Sequence, residues 1–114
     1  MHEMGLAGSI LGESVRIGEL AKAERIAAVE VEISPLAGID NEDLALCFSQ
    51  AAEDTLAKGA SLRITLLPLV AECSQCGQSI GGESGAVTCP NCGSRSLQVK
   101  PMPGWRITAV ETLP

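Results

Sequence analysis

Aromatic side chains are nearly missing from this chain: Phe48 and Trp105 are the whole set, and tyrosine does not occur. Stacking platforms of the kind that single-stranded nucleic acids need are hard to build from so little. The interior must instead be Leu, Ile, Val and Ala. Positive charge is also scarce. Eight Lys and Arg residues against fourteen Asp and Glu leave a formal charge of −6, the wrong sign for a footprint on DNA, RNA or anionic lipid. The longest apolar run, Ile64 to Ala71, contains Pro68 and is far too short to span a bilayer. No cationic leader with an apolar stretch behind it is visible, so no signal peptide is expected. Together these absences predict no nucleic-acid partner, no membrane partner and a cytoplasmic location. Histidine occurs once, at position 2, and no Gly-rich phosphate loop is present. That leaves no evident catalytic constellation, and the chain is not expected to be an enzyme.

What remains is a small chain of 114 residues with two contrasting parts. From Glu3 to about Lys22 the pattern has helical period, with Met4, Ala7, Ile10, Leu11, Val15, Ile17 and Ala21 on one arc. Gly8, Gly12 and Gly18 weaken that helix by roughly 1 kcal/mol each relative to alanine, so packing must hold it. Close packing at Gly8 and Gly12 is the expected reason for them. Val29-Glu30-Val31-Glu32-Ile33 alternates strictly and predicts a strand with one wet face. Asp40 is a good N-cap and Gly59 a good C′ residue for a second helix, on which Leu44, Cys47, Phe48, Ala51, Ala52 and Thr55 share a stripe. A second strand is expected from Leu62 to Val70. Strand, helix and strand at this length favour a parallel pair joined by a crossover.

Composition changes after Glu72. Residues 73–95 are rich in Gly, Ser and Cys, Leu97 and Val99 hint at a short strand, and Pro101, Pro103 and Gly104 make a stiff return. Trp105 to Leu113 reads as strand again. The predicted fold class is α+β: a small mixed β-sheet with two helices, plus an inserted zinc-ribbon-like module with four cysteines. The domain boundaries expected are 1–71 with 104–114 for the α/β body, and 72–103 for the module.

The cysteines define that module. Cys73-Ser-Gln-Cys76-Gly77 and Cys89-Pro-Asn-Cys92-Gly93 are two copies of one short loop. Two cysteines separated by two residues can turn both sulfurs toward one ion, and the glycine behind them can take positive φ. Four thiolates suit tetrahedral Zn(II) and close its coordination shell, which makes the metal structural. Iron is the competitor, because the same loops resemble rubredoxin knuckles. Rubredoxins surround their iron with aromatic side chains, and residues 72–103 contain none. Cys47, beside Phe48 on the apolar stripe, is expected to act as a small core hydrophobe.

The opening Met1-His2-Glu3 offers a second set of donors. A histidine at position 2 is commonly no more than part of a frayed terminus. A large second residue also predicts that Met1 is retained. The Met1 amine, the His2 amide nitrogen and the His2 Nδ1 can then close fused five- and six-membered rings around one ion. Three nitrogens in one plane suit Ni(II) or Cu(II) better than Zn(II). The fourth position falls to Glu3, water or a partner.

An amino-terminal Met-His-Glu before a helix, a βαβ-like body containing Leu46-Cys47-Phe48, two CxxCG knuckles and a final strand together resemble the HypA/HybF nickel metallochaperones of hydrogenase maturation. The resemblance runs over essentially the whole chain. It implies that Met1, His2 and Glu3 bind Ni(II) for transfer and that Cys73, Cys76, Cys89 and Cys92 hold structural Zn(II). It further implies a GTPase accessory protein as partner and the NiFe hydrogenase large subunit, or urease, as recipient. The chain is expected to be a monomer or a homodimer. A zinc-ribbon nucleic-acid-binding protein is the rival of another class. It would want clustered Lys and Arg near the knuckles, whereas from residue 73 onward only Arg95, Lys100 and Arg106 are basic.

Overall fold

The computed structural model describes residues 2–67, 70–81, 88–99 and 104–114. In chain order its elements are α1 (Glu3–Leu20), β1 (Arg25–Ile33), α2 (Asn41–Ala51), β2 (Ser61–Leu66), β3 (Val70–Cys73), β4 (Ser79–Gly81), β5 (Leu97–Val99) and β6 (Trp105–Leu113). They form two three-stranded sheets, in the orders β2-β1-β6 and β4-β3-β5. In the first, β1 runs parallel to β2 and antiparallel to β6, so the sheet is mixed as the sequence predicts. The fold is α+β.

Alternation along β1 sorts its side chains by face. Val29, Val31 and Ile33 are buried, and with Ile10, Ile26, Leu44 and Phe48 they make the core between sheet and helices. Glu30 and Glu32 point the other way, where Arg63 and Arg106 meet them. The opposite face is therefore a ladder of ion pairs.

Helix α1 buries Glu3, Ala7, Ile10, Leu11, Ser14 and Gly18, a stripe rotated from the one expected. Met4 is 65% exposed, and Ala21 caps the helix end and is exposed. Small and polar residues replace them on the buried side, and the Ser14 hydroxyl satisfies itself on the Ile10 carbonyl at 2.7 Å. The glycine expectation also changes place. Gly8 and Gly12 are exposed with open space around them, whereas a Cβ on Gly18 would lie 3.1 Å from Ile26 Cδ1. Close approach of helix to sheet is thus Gly18's role. Gly8→Ala should stabilise the fold by about 0.5–1 kcal/mol through helix propensity. Gly18→Leu should destabilise it by about 1–3 kcal/mol through overpacking. Urea denaturation of the two variants checks both signs.

The Asp40 side chain caps α2 as predicted, accepting from the Asp43 N–H at 3.0 Å. The helix then stops at Ala51, well short of the expected end at Gly59. Thr55 explains the early stop. Its Oγ1 donates to the Ala52 carbonyl at 2.8 Å and accepts from the Ala57 N–H at 3.0 Å, and such local bonding competes with the helix ladder. Gly59, at φ +78°, ends the turn that follows. Asp40→Ala should cost about 1 kcal/mol in the same denaturation experiment.

The single strand expected from Leu62 to Val70 is two strands in two sheets. β2 ends at Leu66, its direction continued by the bond from Leu67 N–H to the Ile33 carbonyl, and β3 opens the second sheet at Val70. Pro68 and Leu69 lie outside the described residues, as do Pro101 and Pro103 of the predicted stiff return. β5 and β6 stand where the sequence placed them. β4 had no sequence signal, being three residues of Ser-Ile-Gly that pair with β3.

Candidate metal sites

Each knuckle is a tight turn built the same way. The Gly77 N–H donates to the Cys73 carbonyl at 2.9 Å, and the Gly93 N–H donates to the Cys89 carbonyl at 2.8 Å. Both glycines sit at positive φ, +77° and +78°, where a side chain would be strained. The two turns face each other so that all four sulfurs lie within 4.8 Å of one another. Cys73 and Cys92 Sγ are 3.5 Å apart, and Cys76 and Cys89 Sγ 3.6 Å. A tetrahedron of sulfurs with Zn–S bonds of about 2.3 Å would have edges of about 3.8 Å. The cluster fits a structural zinc site.

Its electrostatics point the same way. Backbone N–H groups of Cys76 and then Gln75, with the neighbouring thiols, bring the Cys73 thiol down to about 6 against the opposing effect of burial. The Asn91 amide, which donates to Cys76 Sγ at 3.5 Å, lowers Cys76. For Cys92 the Ser94 N–H pulls downward, but the surrounding thiols, Cys73 foremost, push it up to about 12. Four sulfurs this close cannot all carry charge unless a cation sits among them. A divalent metal resolves that conflict, since bound thiols ionise.

Burial within the cluster alternates. Cys73 and Cys89 are buried, while Cys76 and Cys92 are exposed. Among the described residues, Ile80 is the buried aliphatic packed with that pair, and Ala71 and Leu97 partly cover it. No aromatic ring packs there among the described residues, in contrast to a rubredoxin.

At the amino end, His2 is exposed and stands at the N-cap of α1, its carbonyl accepting from the Leu6 N–H at 3.0 Å. Glu3 is buried, and its Oε2 accepts from the Asp40 N–H at 3.0 Å. The carboxylate thereby ties the start of α1 to the cap of α2. Met1, the third predicted nickel ligand, lies outside the described residues. Neither His2 nor Glu3 joins the cysteine cluster. Cys47 is half-buried against the core, as expected of a small hydrophobe. The Glu3–Asp40 tie and the Asn91 bond to sulfur are the contacts that sequence reasoning missed. A charged residue in a first turn ordinarily reads as solvated, and the second variable position of a knuckle has no preferred type.

Residues 1–112 match the model of a family described as hydrogenase/urease nickel incorporation, metallochaperone, hypA. The chain belongs to the HypA family. A HypA hydrogenase maturation factor from Pelodictyon phaeoclathratiforme is 42% identical over 104 residues, spanning 91% of this chain and 87% of that protein. Another from Azotobacter chroococcum is 39% identical over 99 residues, spanning 87% and 88%. The solution structure of the Ni metallochaperone HypA from Helicobacter pylori shares the fold, with a TM-score of 0.70 at 23% identity over 99% of this chain and 98% of that one. A second HypA solution structure gives a TM-score of 0.73 at 23% identity. As a HypA protein this chain is a nickel metallochaperone of hydrogenase maturation, and its partners are those of that process. Among its described residues no helix is long and apolar enough to cross a membrane.

Proposed function

We propose that this HypA protein carries Ni(II) on Met1, His2 and Glu3 and passes it, with a GTPase accessory protein, to the large subunit of NiFe hydrogenase in the cytoplasm. Urease is the second client class. In this reading the protein binds and hands over an ion and catalyses no reaction of its own. Cys73, Cys76, Cys89 and Cys92 hold Zn(II), and residues 72–103 form a module set apart from the body made by 1–71 and 104–114.

The observation that carries this reading is the closed sulfur cluster. Four mutually adjacent thiolates fill a tetrahedral shell and leave no position from which to release a cargo ion. Cargo therefore needs other donors. His2, exposed at the start of a helix, can meet a partner, and Glu3 holds that start in place through Asp40. Capture by the Met1 amine, the His2 amide and the His2 Nδ1 releases the protons those nitrogens held. Handover reverses this when a partner offers a fuller donor set.

Delivery is tested in cells lacking the chain. Wild-type protein should restore hydrogenase activity and His2→Ala should leave it at the background level. Full restoration by His2→Ala would overturn the proposal.

A further inference from the structure

β6 is an edge strand: β1 occupies one side, and no described strand pairs with the other. Which of its backbone groups point outward follows from two hydrogen bonds. The Ile33 carbonyl accepts from Leu67 N–H on the β2 side, and Ser34 N–H donates to the Gly104 carbonyl on the β6 side. Alternation then turns the amides of Ile33, Val31 and Val29 toward β2, and those of Glu32, Glu30 and Ala28 toward β6. Their partners follow from the register, Trp105, Ile107 and Val110 opposite the first set and Arg106, Ala109 and Glu111 opposite the second. Trp105, Ile107 and Val110 therefore present their amides to the open edge. The Leu113 carbonyl accepts from Glu24 N–H, which leaves Thr112 facing outward too.

The bulge between the Glu30 and Val31 pairings makes this pattern unusual. Thr108 and Ala109 both fall on the β1 side there, so period two is broken once. Read along β6 from Trp105 to Thr112, the amides run out, in, out, in, in, out, in, out. That order is the same in both directions. An antiparallel second copy would meet every outward amide with an outward amide, bulge against bulge, whereas an unbulged strand would fall out of register beyond Ala109. Side chains agree with that register. Ile107 and Val110, each only partly buried at the edge of the core, would lie opposite one another. Arg106 would stand opposite Glu111, joining Glu32–Arg106 and Glu111–Arg63 into one alternating network.

We propose that β6 is a dimerisation edge, and that its occupant is the β6 strand of a second copy of this chain, paired antiparallel about the Thr108–Ala109 bond. The two first sheets then form one continuous six-stranded sheet. The palindromic amides and the Arg106–Glu111 complementarity select a second copy over an unrelated strand. The nickel reading does not depend on this interface.

Sedimentation of the zinc-loaded, full-length protein across a concentration series tests it. Wild type should sediment as a dimer. Val110→Pro removes an outward N–H from each copy without touching a bond to β1, and should weaken association about thirtyfold, with zinc content and circular dichroism unchanged. Because proline could also disturb the strand, register is read separately. An equimolar mixture of Arg106→Cys and Glu111→Cys proteins should give an interchain disulfide that neither gives alone, since directly opposed residues in a non-hydrogen-bonded pair are close enough to bridge. A monomer at every concentration overturns the proposal. So does a dimer that forms no 106–111 disulfide in the mixture, which would place contact elsewhere, or an edge taken up only by a strand from a different protein.

Discussion

Cys89→Ser should release zinc and melt the second sheet while the helices and the first sheet stay folded. The size of the effect follows from how little else holds that part together. Among the described residues the buried ones there are Cys73, Ile80 and Cys89, with Ala71 and Leu97 at the margin. Two of the three, Cys73 and Cys89, belong to the sulfur cluster that fits zinc. Structural zinc supplies on the order of 10–16 kcal/mol of folding free energy in small modules at neutral pH. Three strands of three or four residues cannot supply that from apolar burial. A serine at 89 leaves three thiolates and a weak hydroxyl donor, and it also removes a buried sulfur from the core. Metal analysis should fall from one zinc per chain toward none. Amide signals from β3, β4 and β5 should collapse into the random-coil region while those of α1, α2, β1 and β2 keep their positions. One equivalent of zinc with an intact spectrum would contradict the assignment of the four cysteines.

His2→Ala should remove stoichiometric nickel binding while leaving zinc and fold intact. The imidazole is the only one in the chain, so no other histidine can replace it. Losing a direct ligand costs more than the roughly 10–100-fold that loss of an outer-shell partner costs. Structure should not suffer, because His2 is exposed and contributes only its backbone carbonyl to the first turn. Nickel affinity of the wild type should rise with pH. A terminal amine with a reference pKa of about 7.7–8.0 is mostly protonated below neutrality, and the proton competes with the metal. A titration that finds tight binding at pH 6 and none gained by pH 8 would speak against an amine ligand. Nickel retained by His2→Ala would speak against the histidine.

The zinc site was legible because its chemistry is local. Each CxxCG turn carries within five residues both its donors and the glycine that lets the chain bend. The parallel β1–β2 pair and the antiparallel return of β6 could also be read, from Val29–Ile33, the Asp40 cap and the late apolar strand. What escaped depends on contacts far apart in sequence. Gly18 looked like one weak helix residue among three, and only the approach of Ile26 singles it out. Nothing in the local pattern around Glu3 shows that its carboxylate is buried on the Asp40 amide, 37 residues away. Thr55 sits on the helical stripe, and its hydroxyl ends that helix where periodicity alone would continue it. Leu62 to Val70 read as one apolar run because pattern does not tell which sheet a strand joins.

Separate roles for two metals, one enclosed by sulfur and one held by the chain's first nitrogen atoms, are tested most directly by placing Gly-Ser ahead of Met1. Nickel and zinc would then be counted in the same sample by mass spectrometry after equilibrium dialysis. Zinc should remain at one equivalent and nickel should fall to the background of a protein without the site. One equivalent of nickel bound with unchanged affinity by the extended chain would contradict the account.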